Sequence, residues 1–197
     1  MSSVGFYDEN AEHFFRRSVD ADMAEGWTAF SALVKPGGRV LDAGCGSGRD
    51  TLALAKRGFR VTPIEASHNL AALAAAHTGL PVQVMTFEEV AWRDVFDGVW
   101  ACASLLHVPR AELPAVMRRL RDALAPGGVW WMSFKYGTLD RQVGGRLFTD
   151  LDEAGAQALL AEVGGLSTLS MDVTPDVRAD RPGERWLTLV CRRDQAP

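Results

Sequence analysis

Cysteine is scarce: Cys45, Cys102 and Cys191 lie far apart in 197 residues, with no C-x-x-C pair. An odd, dispersed set excludes a disulfide framework and points to a reducing compartment. The four histidines (His13, His68, His77, His107) show no H-E-x-x-H or similar spacing, so no metal is expected. Positive charge is not in excess either. The formal net charge is −4, which argues against a nucleic-acid partner, because phosphate backbones need a basic surface. Arg118, Arg119 and Arg121 read as a solvated helix face. No stretch approaches the roughly 18 apolar residues of a membrane span. The opening MSSVGFYDENAEHFF carries acids early and no apolar core, unlike a signal peptide. A cytoplasmic protein is expected, monomeric or at most a weak dimer, with no membrane partner. What is present is ordinary for one domain: 47% hydrophobic and 23% charged residues, enough to bury a core without staples.

Along the chain, residues 8–17 read as helical, and DADMAEGWTAFSALV (20–34) places Met23, Trp27, Phe30 and Val34 at helical spacing before the breakers Lys35-Pro36-Gly37-Gly38. Strands and helices then alternate. RVLDA, FRVTPIE, PVQVMTF, FDGVWACA and VWWMSF read as strands. GRDTLALAKRG, SHNLAALAAAHTG, RAELPAVMRRLRDALAPGG and TDLDEAGAQALLAEVGG read as helices, with Ser67 as an N-cap and Gly79 as a stop. Two last strands, near LSTLSMDV and RWLTLVCRR, have no room for a crossover helix between them and should pair antiparallel. This alternation predicts an α/β fold: a mainly parallel sheet covered on both faces, with ligands at the carboxyl ends of its strands. Pro63 conflicts with a regular ladder, so pairing in the second strand is expected to stop at Val61 or Thr62.

VLDAGCGSGRDT (40–51) sits at the first strand-to-helix turn. Gly44, Gly46 and Gly48 recur at every second position, tighter than the G-x-G-x-x-G of a dinucleotide fold. Asp42, just before the turn, disfavours an anion and suits a cationic or zwitterionic ligand. Glu65 follows at a strand end, 21 positions after Gly44, the spacing at which a carboxylate takes both hydroxyls of a ribose. Together they predict an adenosine-like ligand without a diphosphate. Glu65 could equally be a cap for the helix starting at Ser67.

VLDAGCGSG, the strand-end Glu65, FDGVWACASLLHV and LAPGGVWWMSF, in that order over residues 36–135, resemble the class I S-adenosylmethionine-dependent methyltransferases. Gly48-Arg49-Asp50 and FYDENAEHFFRR are similar to small bacterial methyltransferases of the tellurite-resistance and thiol-methylating kind. The resemblance implies a three-layer Rossmann-like sandwich whose seven-stranded sheet has the order 3-2-1-4-5-7-6, strand 7 antiparallel. It implies S-adenosyl-L-methionine as cofactor and S-adenosyl-L-homocysteine as product. Asp42, Gly44, Cys45 and Gly46 would surround the methionine part, and Glu65 would hold the ribose beside Ala66. Thr86 falls where the family has an acid for adenine and Phe87 where it has a backbone N–H, so either Glu88 substitutes or the contact is apolar. Ala101 would pass close to the methionine chain, with Leu106 and His107 on the wall. Tyr7 and Arg17 belong to a lid helix in which Arg17 would reach the methionine carboxylate, or Arg16 and Arg17 face solvent. Residues 1–197 would form one domain: a helical lid (1–35), a cofactor-binding core (36–135), then a substrate loop, last helix and antiparallel strand pair (136–197).

The reaction implied is methyl transfer to a small molecule by in-line attack on the cofactor's methyl group. A base is needed only for a hydroxyl or protonated amine; thiolates and chalcogen anions need none. His107, Lys135 and Tyr136 are the candidates; a lone His after an apolar run is more often a packed wall residue, and Lys135 and Tyr136 also read more readily as structural. No D/N-P-P-Y element follows strand 4, which counts against nucleic-acid substrates. Segment 136–148 (YGTLDRQVGGRLF) is expected to be a mobile roof, and Arg141 and Arg146 in it suit an acceptor with a carboxylate or are surface charges. Two other readings stand beside this one: a catalytically silent regulator that binds the same cofactor, and a nicotinamide-dependent oxidoreductase, which the glycine spacing disfavours.

Overall fold

The computed structural model describes residues 2–177, 181 and 183–195. Three helices open the chain, α1 (Ser3–Glu9), α2 (Ala11–Ser18) and α3 (Ala24–Leu33), followed by β1 (Arg39–Ala43), α4 (Arg49–Lys56), β2 (Arg60–Glu65), α5 (His68–Thr78), β3 (Gln83–Val84) and β4 (Phe96–Ala101). Then come α6 (Leu113–Ala123), β5 (Leu124–Lys135), β6 (Asp140–Val143), β7 (Arg146–Thr149), α7 (Glu153–Val163), β8 (Leu166–Pro175) and β9 (Arg185–Arg193). Seven strands form one sheet in the order β3-β2-β1-β4-β5-β9-β8, and β6 pairs only with β7. The first five are parallel, and β9 runs antiparallel to both β5 and β8. This is the expected seven-stranded arrangement with a hairpin added before the last helix.

Alternation along the strands divides the core into two layers. Val40, Trp100, Val129 and Trp131 meet Phe30 and Val34, at the end of α3, and Leu54 of α4 on one face. Leu41, Val99, Ala101, Trp130 and Met132 meet Met117 and Leu120 of α6 and Leu160 of α7 on the other. The helix signals act as read. The Ser67 hydroxyl accepts from Leu70 N at 3.1 Å, and Gly79 takes the left-handed conformation that ends α5 (φ +71°).

Five expectations change. The ladder runs through Pro63, which lies opposite Asp42 in β1. The Ile64 carbonyl faces the β1 side, where it accepts from Gly44 N, whereas the Glu65 carbonyl faces β3, where it accepts from Met85 N. Directions alternate along a strand, so the missing N–H of Pro63 points toward β3, whose pairing begins only at Ile64. The third strand is much shorter than PVQVMTF, because Thr86 starts a 3₁₀ turn with a reciprocal capping box to Glu89. Pro126-Gly127-Gly128 does not separate helix from strand. It sits inside β5, where the register slips between the pairs Phe96–Leu124 and Gly98–Val129. Segment 136–148 is an ordered hairpin, its turn made by Gly144 and Gly145 with φ +56° and +83°, the two positive values a type I′ turn requires. The arginines of α6 also do more than face water. Arg121 Nη1 donates to the carbonyls of Val163 (2.6 Å) and Gly164 (3.0 Å), stapling α6 to the end of α7. Among the described residues, no helix is long and apolar enough to cross a membrane.

Candidate functional site

A cavity of about 340 Å³ opens at the carboxyl ends of β1, β2 and β4 and extends under the N-terminal helices and the β6–β7 hairpin. Its floor toward β9 is the sheet face carrying Trp131, Ser133, Lys135, Trp186 and Thr188.

The glycine turn forms one end. Gly44 has φ +78°, and a Cβ there would lie 2.6 Å from Ser104 Cβ. The close approach is used: the Ser104 hydroxyl donates to the Ala43 carbonyl at 2.7 Å. At Gly46 a Cβ would meet the Phe14 ring of α2 at 3.3 Å, and at Gly48 it would meet Thr78 and Ala74 of α5. Three glycines thus let three separate elements close on one turn. Glu65 ties it together. One carboxylate oxygen accepts from Gly46 N and the other from Ser67 N, each at 3.0 Å. Burial pushes its pKa above the usual carboxylate value, against the pull of those N–H groups. Each oxygen keeps a further lone pair for a hydroxyl donor.

The predicted cofactor residues divide. Tyr7, Gly44, Cys45, Gly46, Glu65 and Ala66 line the cavity, as do Thr86, Phe87 and Leu106. The Thr86 hydroxyl is engaged by Glu89 at 3.0 Å, while Glu88 lines the cavity beside Phe87. Asp42, Ala101 and Arg17 are not on its wall. Asp42 is buried beneath the turn, where Thr51 Oγ1 donates to it at 2.5 Å. Burial and the charge of Asp50 raise its pKa, so it acts as a buttress of the turn and not as an open acceptor. Ala101 points into the layer shared with α6 and α7. Arg17 lies on the exposed side of α2.

Of the candidate bases, His107 and Lys135 line the cavity and Tyr136 does not; its hydroxyl donates to Glu153 at 3.0 Å. Lys135 is buried and ion-paired with Asp176 (3.2 Å) and Glu184, with its ammonium 4.0 Å from the Trp186 ring centroid. His107 Nδ1 is 2.7 Å from the Leu147 carbonyl oxygen, and Nε2 is 2.7 Å from the Tyr7 hydroxyl. A carbonyl only accepts, so in the neutral ring Nδ1 carries the proton and Nε2 accepts from Tyr7. Burial, helped by the nearby Arg146 charge, lowers the His107 pKa to about 4. At neutral pH His107 is an uncharged clasp joining the end of β4, α1 and the hairpin.

Arg49 and Asp50 also line the cavity, although the sequence assigned neither of them a role there. Arg49 grips Asp50 with two 2.8 Å bonds, and Trp27 Nε1 donates to the same carboxylate at 2.8 Å. Burial pushes the Asp50 pKa up, but the Arg49 charge and the bonds from Arg49 and Trp27 together hold it below the usual carboxylate range. Arg49 Nη2 also reaches Cys102 Sγ at 3.4 Å. Among the described residues, no cluster of three His, Cys, Asp or Glu could hold a metal.

Residues 40–128 match the methyltransferase domain family. The ubiquinone biosynthesis O-methyltransferase of Xanthomonas campestris pv. campestris (strain B100) is 34% identical over 105 residues, covering 50% of this chain and 43% of that protein. The chain thus spans less than half the length of such relatives. Among solved structures, the Burkholderia thailandensis 1,6-didemethyltoxoflavin-N1-methyltransferase, with 1,6-didemethyltoxoflavin and S-adenosylhomocysteine bound, superposes with a TM-score of 0.80. It shares 22% identity over 98% of this chain and 87% of its own. The [4+2]-cyclase SpnF superposes at 0.73, with 18% identity over 99% and 97% of the two chains. Residues 40–128 therefore resemble a methyltransferase domain, and the chain carries the fold of the class I S-adenosylmethionine-dependent methyltransferases.

Proposed function

We propose that the protein transfers a methyl group from S-adenosylmethionine to a small-molecule acceptor bound in the same cavity. The observation that carries this is Glu65: a buried carboxylate on the cavity wall, locked by the backbone of the glycine turn on one side and of the α5 cap on the other. It is set to accept from a ribose and leaves no cradle for a pyrophosphate. Phe87 offers an apolar face to an adenine ring, with Glu88 beside it, and Cys45, Gly46 and Leu106 enclose the remaining length. Residues 1–18 act as the lid, through Tyr7 and Phe14.

When bound, the cofactor supplies an electrophilic methyl on a sulfonium, and the bond to the acceptor's lone pair replaces a carbon–sulfur bond whose electrons stay on sulfur. The chain's own task is placement. Trp131, Trp186 and Phe148 exclude water and fix the acceptor, and a reacting pair held in line at about 3–3.5 Å gains several kcal/mol. Tyr7 and His107 can move a proton: an acceptor proton passes to the Tyr7 oxygen as the Tyr7 proton passes to Nε2. The low basicity of His107 limits that route and suits acceptors that arrive already anionic. The test is transfer of labelled methyl from S-adenosylmethionine to a panel of thiols, amines, hydroxy and carboxylic acids and chalcogen oxyanions. Labelled product with S-adenosylhomocysteine release is expected. Binding of S-adenosylhomocysteine with no transfer to any acceptor would leave a silent binding protein in place of an enzyme.

A further inference from the structure

Charges on the cavity wall are mostly answered by the protein itself. Lys135 faces Asp176 and Glu184, Arg49 faces Asp50, and Arg181 faces Glu184. The hairpin separates its own two arginines in the same way. Arg141 is paired with Asp150 through bonds of 2.5 and 2.9 Å, whereas Arg146 lines the cavity with no carboxylate in ion-pair range among the described residues. Arg146 Nε is buried and has no hydrogen-bond partner. Its guanidinium lies over three rings instead, 4.7 Å from the centroid of Phe6, 5.1 Å from Phe148 and 5.9 Å from Tyr7. Ring faces hold a cation in place but give its N–H donors nothing to bond. The neighbouring backbone is pinned: Leu147 N donates to Ser3 Oγ at 3.0 Å, and the Leu147 carbonyl holds His107. The cation is therefore fixed, stripped of water on one side and left without a counter-charge, and neutral His107 beside it cannot supply one.

We propose that Arg146 anchors an anionic group of the methyl acceptor, a carboxylate or comparable oxyanion, on an organic body that packs against Trp131 and Phe148. A planar guanidinium presents paired donors that match the two oxygens of a carboxylate. This assignment rests on the methyl-transfer reading of the cavity and names the acceptor's class.

The test fixes the cofactor side first. With the protein saturated by S-adenosylhomocysteine, calorimetry follows the binding of benzoate, phenylacetate and indole-3-acetate beside their neutral amides. At least one acid is expected to bind wild type about tenfold or more tightly than its amide. Arg146→Gln should erase that preference while S-adenosylhomocysteine affinity stays within about twofold, and Arg146→Lys should retain part of it, without the paired geometry. Equal binding of every acid and its amide by wild type would overturn the proposal, as would a preference that survives in Arg146→Gln. A tenfold loss of S-adenosylhomocysteine affinity in Arg146→Gln would also overturn it, because the residue would then serve the cofactor's own carboxylate. Failure of wild type to bind S-adenosylhomocysteine is a separate result, obtained before any acid is added, and it sinks the methyl-transfer reading itself.

Discussion

Glu65 and His107 show how one side chain can organise a site through the backbone it touches. Each Glu65 oxygen already takes one N–H, so truncation removes a turn clamp as well as the proposed ribose acceptor. Glu65→Ala is expected to weaken S-adenosylhomocysteine binding by at least about tenfold, the scale of one charged hydrogen bond; calorimetry on the folded variant checks it. His107 makes a prediction in pH. Its folded pKa, about 4, lies below the unfolded value near 6.5, so the unfolded chain binds the extra proton between those values. Stability from this residue is therefore full above about pH 6.5 and is lost as pH falls toward 4, by about 3 kcal/mol in all. Denaturant unfolding across pH 4–7 should show a shallower acid loss in His107→Gln, which can still accept from Tyr7 and donate to Leu147. An identical acid slope in both proteins would contradict the neutral clasp.

At the scale of elements, the hairpin is the piece whose order was least visible beforehand. YGTLDRQVGGRLF is glycine-rich and reads as mobile, yet paired glycines at a two-residue turn are also what a tight hairpin needs. Nothing in composition separates the two; the docking of Leu147 on His107 and Ser3 decides. The same holds for Arg141 and Arg146, alike in the sequence and opposite in the structure because only one meets Asp150. The turn at Gly44, the acid at Glu65, the caps of α5 and the antiparallel closing pair were legible because each depends on residues close in the chain or on strand alternation. Pro63 was misjudged because its tolerance depends on where a neighbouring strand begins. Asp42 is an acid at a strand end like Glu65, and only burial under Thr51 separates their roles. The hairpin prediction follows from its turn. A Cβ at Gly144 meets no atom within 4 Å, so Gly144→Ala costs only backbone strain, about 1 kcal/mol. That corresponds to a melting temperature lower by roughly 2–4 °C. Gly144→Asn, which tolerates the left-handed conformation, should recover most of it.

Across the whole molecule, the cavity is walled by segments from both ends of the chain: α1 and α2, the strand-end loops, the hairpin and residues 174–177. A ligand that spans it ties these segments together, while α6 and α7 lie on the opposite face of the sheet. Hydrogen exchange is expected to slow on S-adenosylhomocysteine binding in residues 3–18, 44–48 and 65–70 together, with α6 and α7 little changed. Protection confined to 44–70 would mean that the N-terminal helices are not a lid.

The two-layer packing has one more consequence. Trp131 lines the cavity, and its indole stacks on fully buried Trp100 with centroids 4.0 Å apart and planes inclined by 13°. Two indoles at that separation share their excited states, so their circular dichroism depends on the angle between them. An acceptor pressing on the cavity side of Trp131 would alter that angle, or its polarity, without moving Trp100. The protein would therefore contain its own optical gauge, in which one chromophore is held as reference and the other faces the guest's cavity.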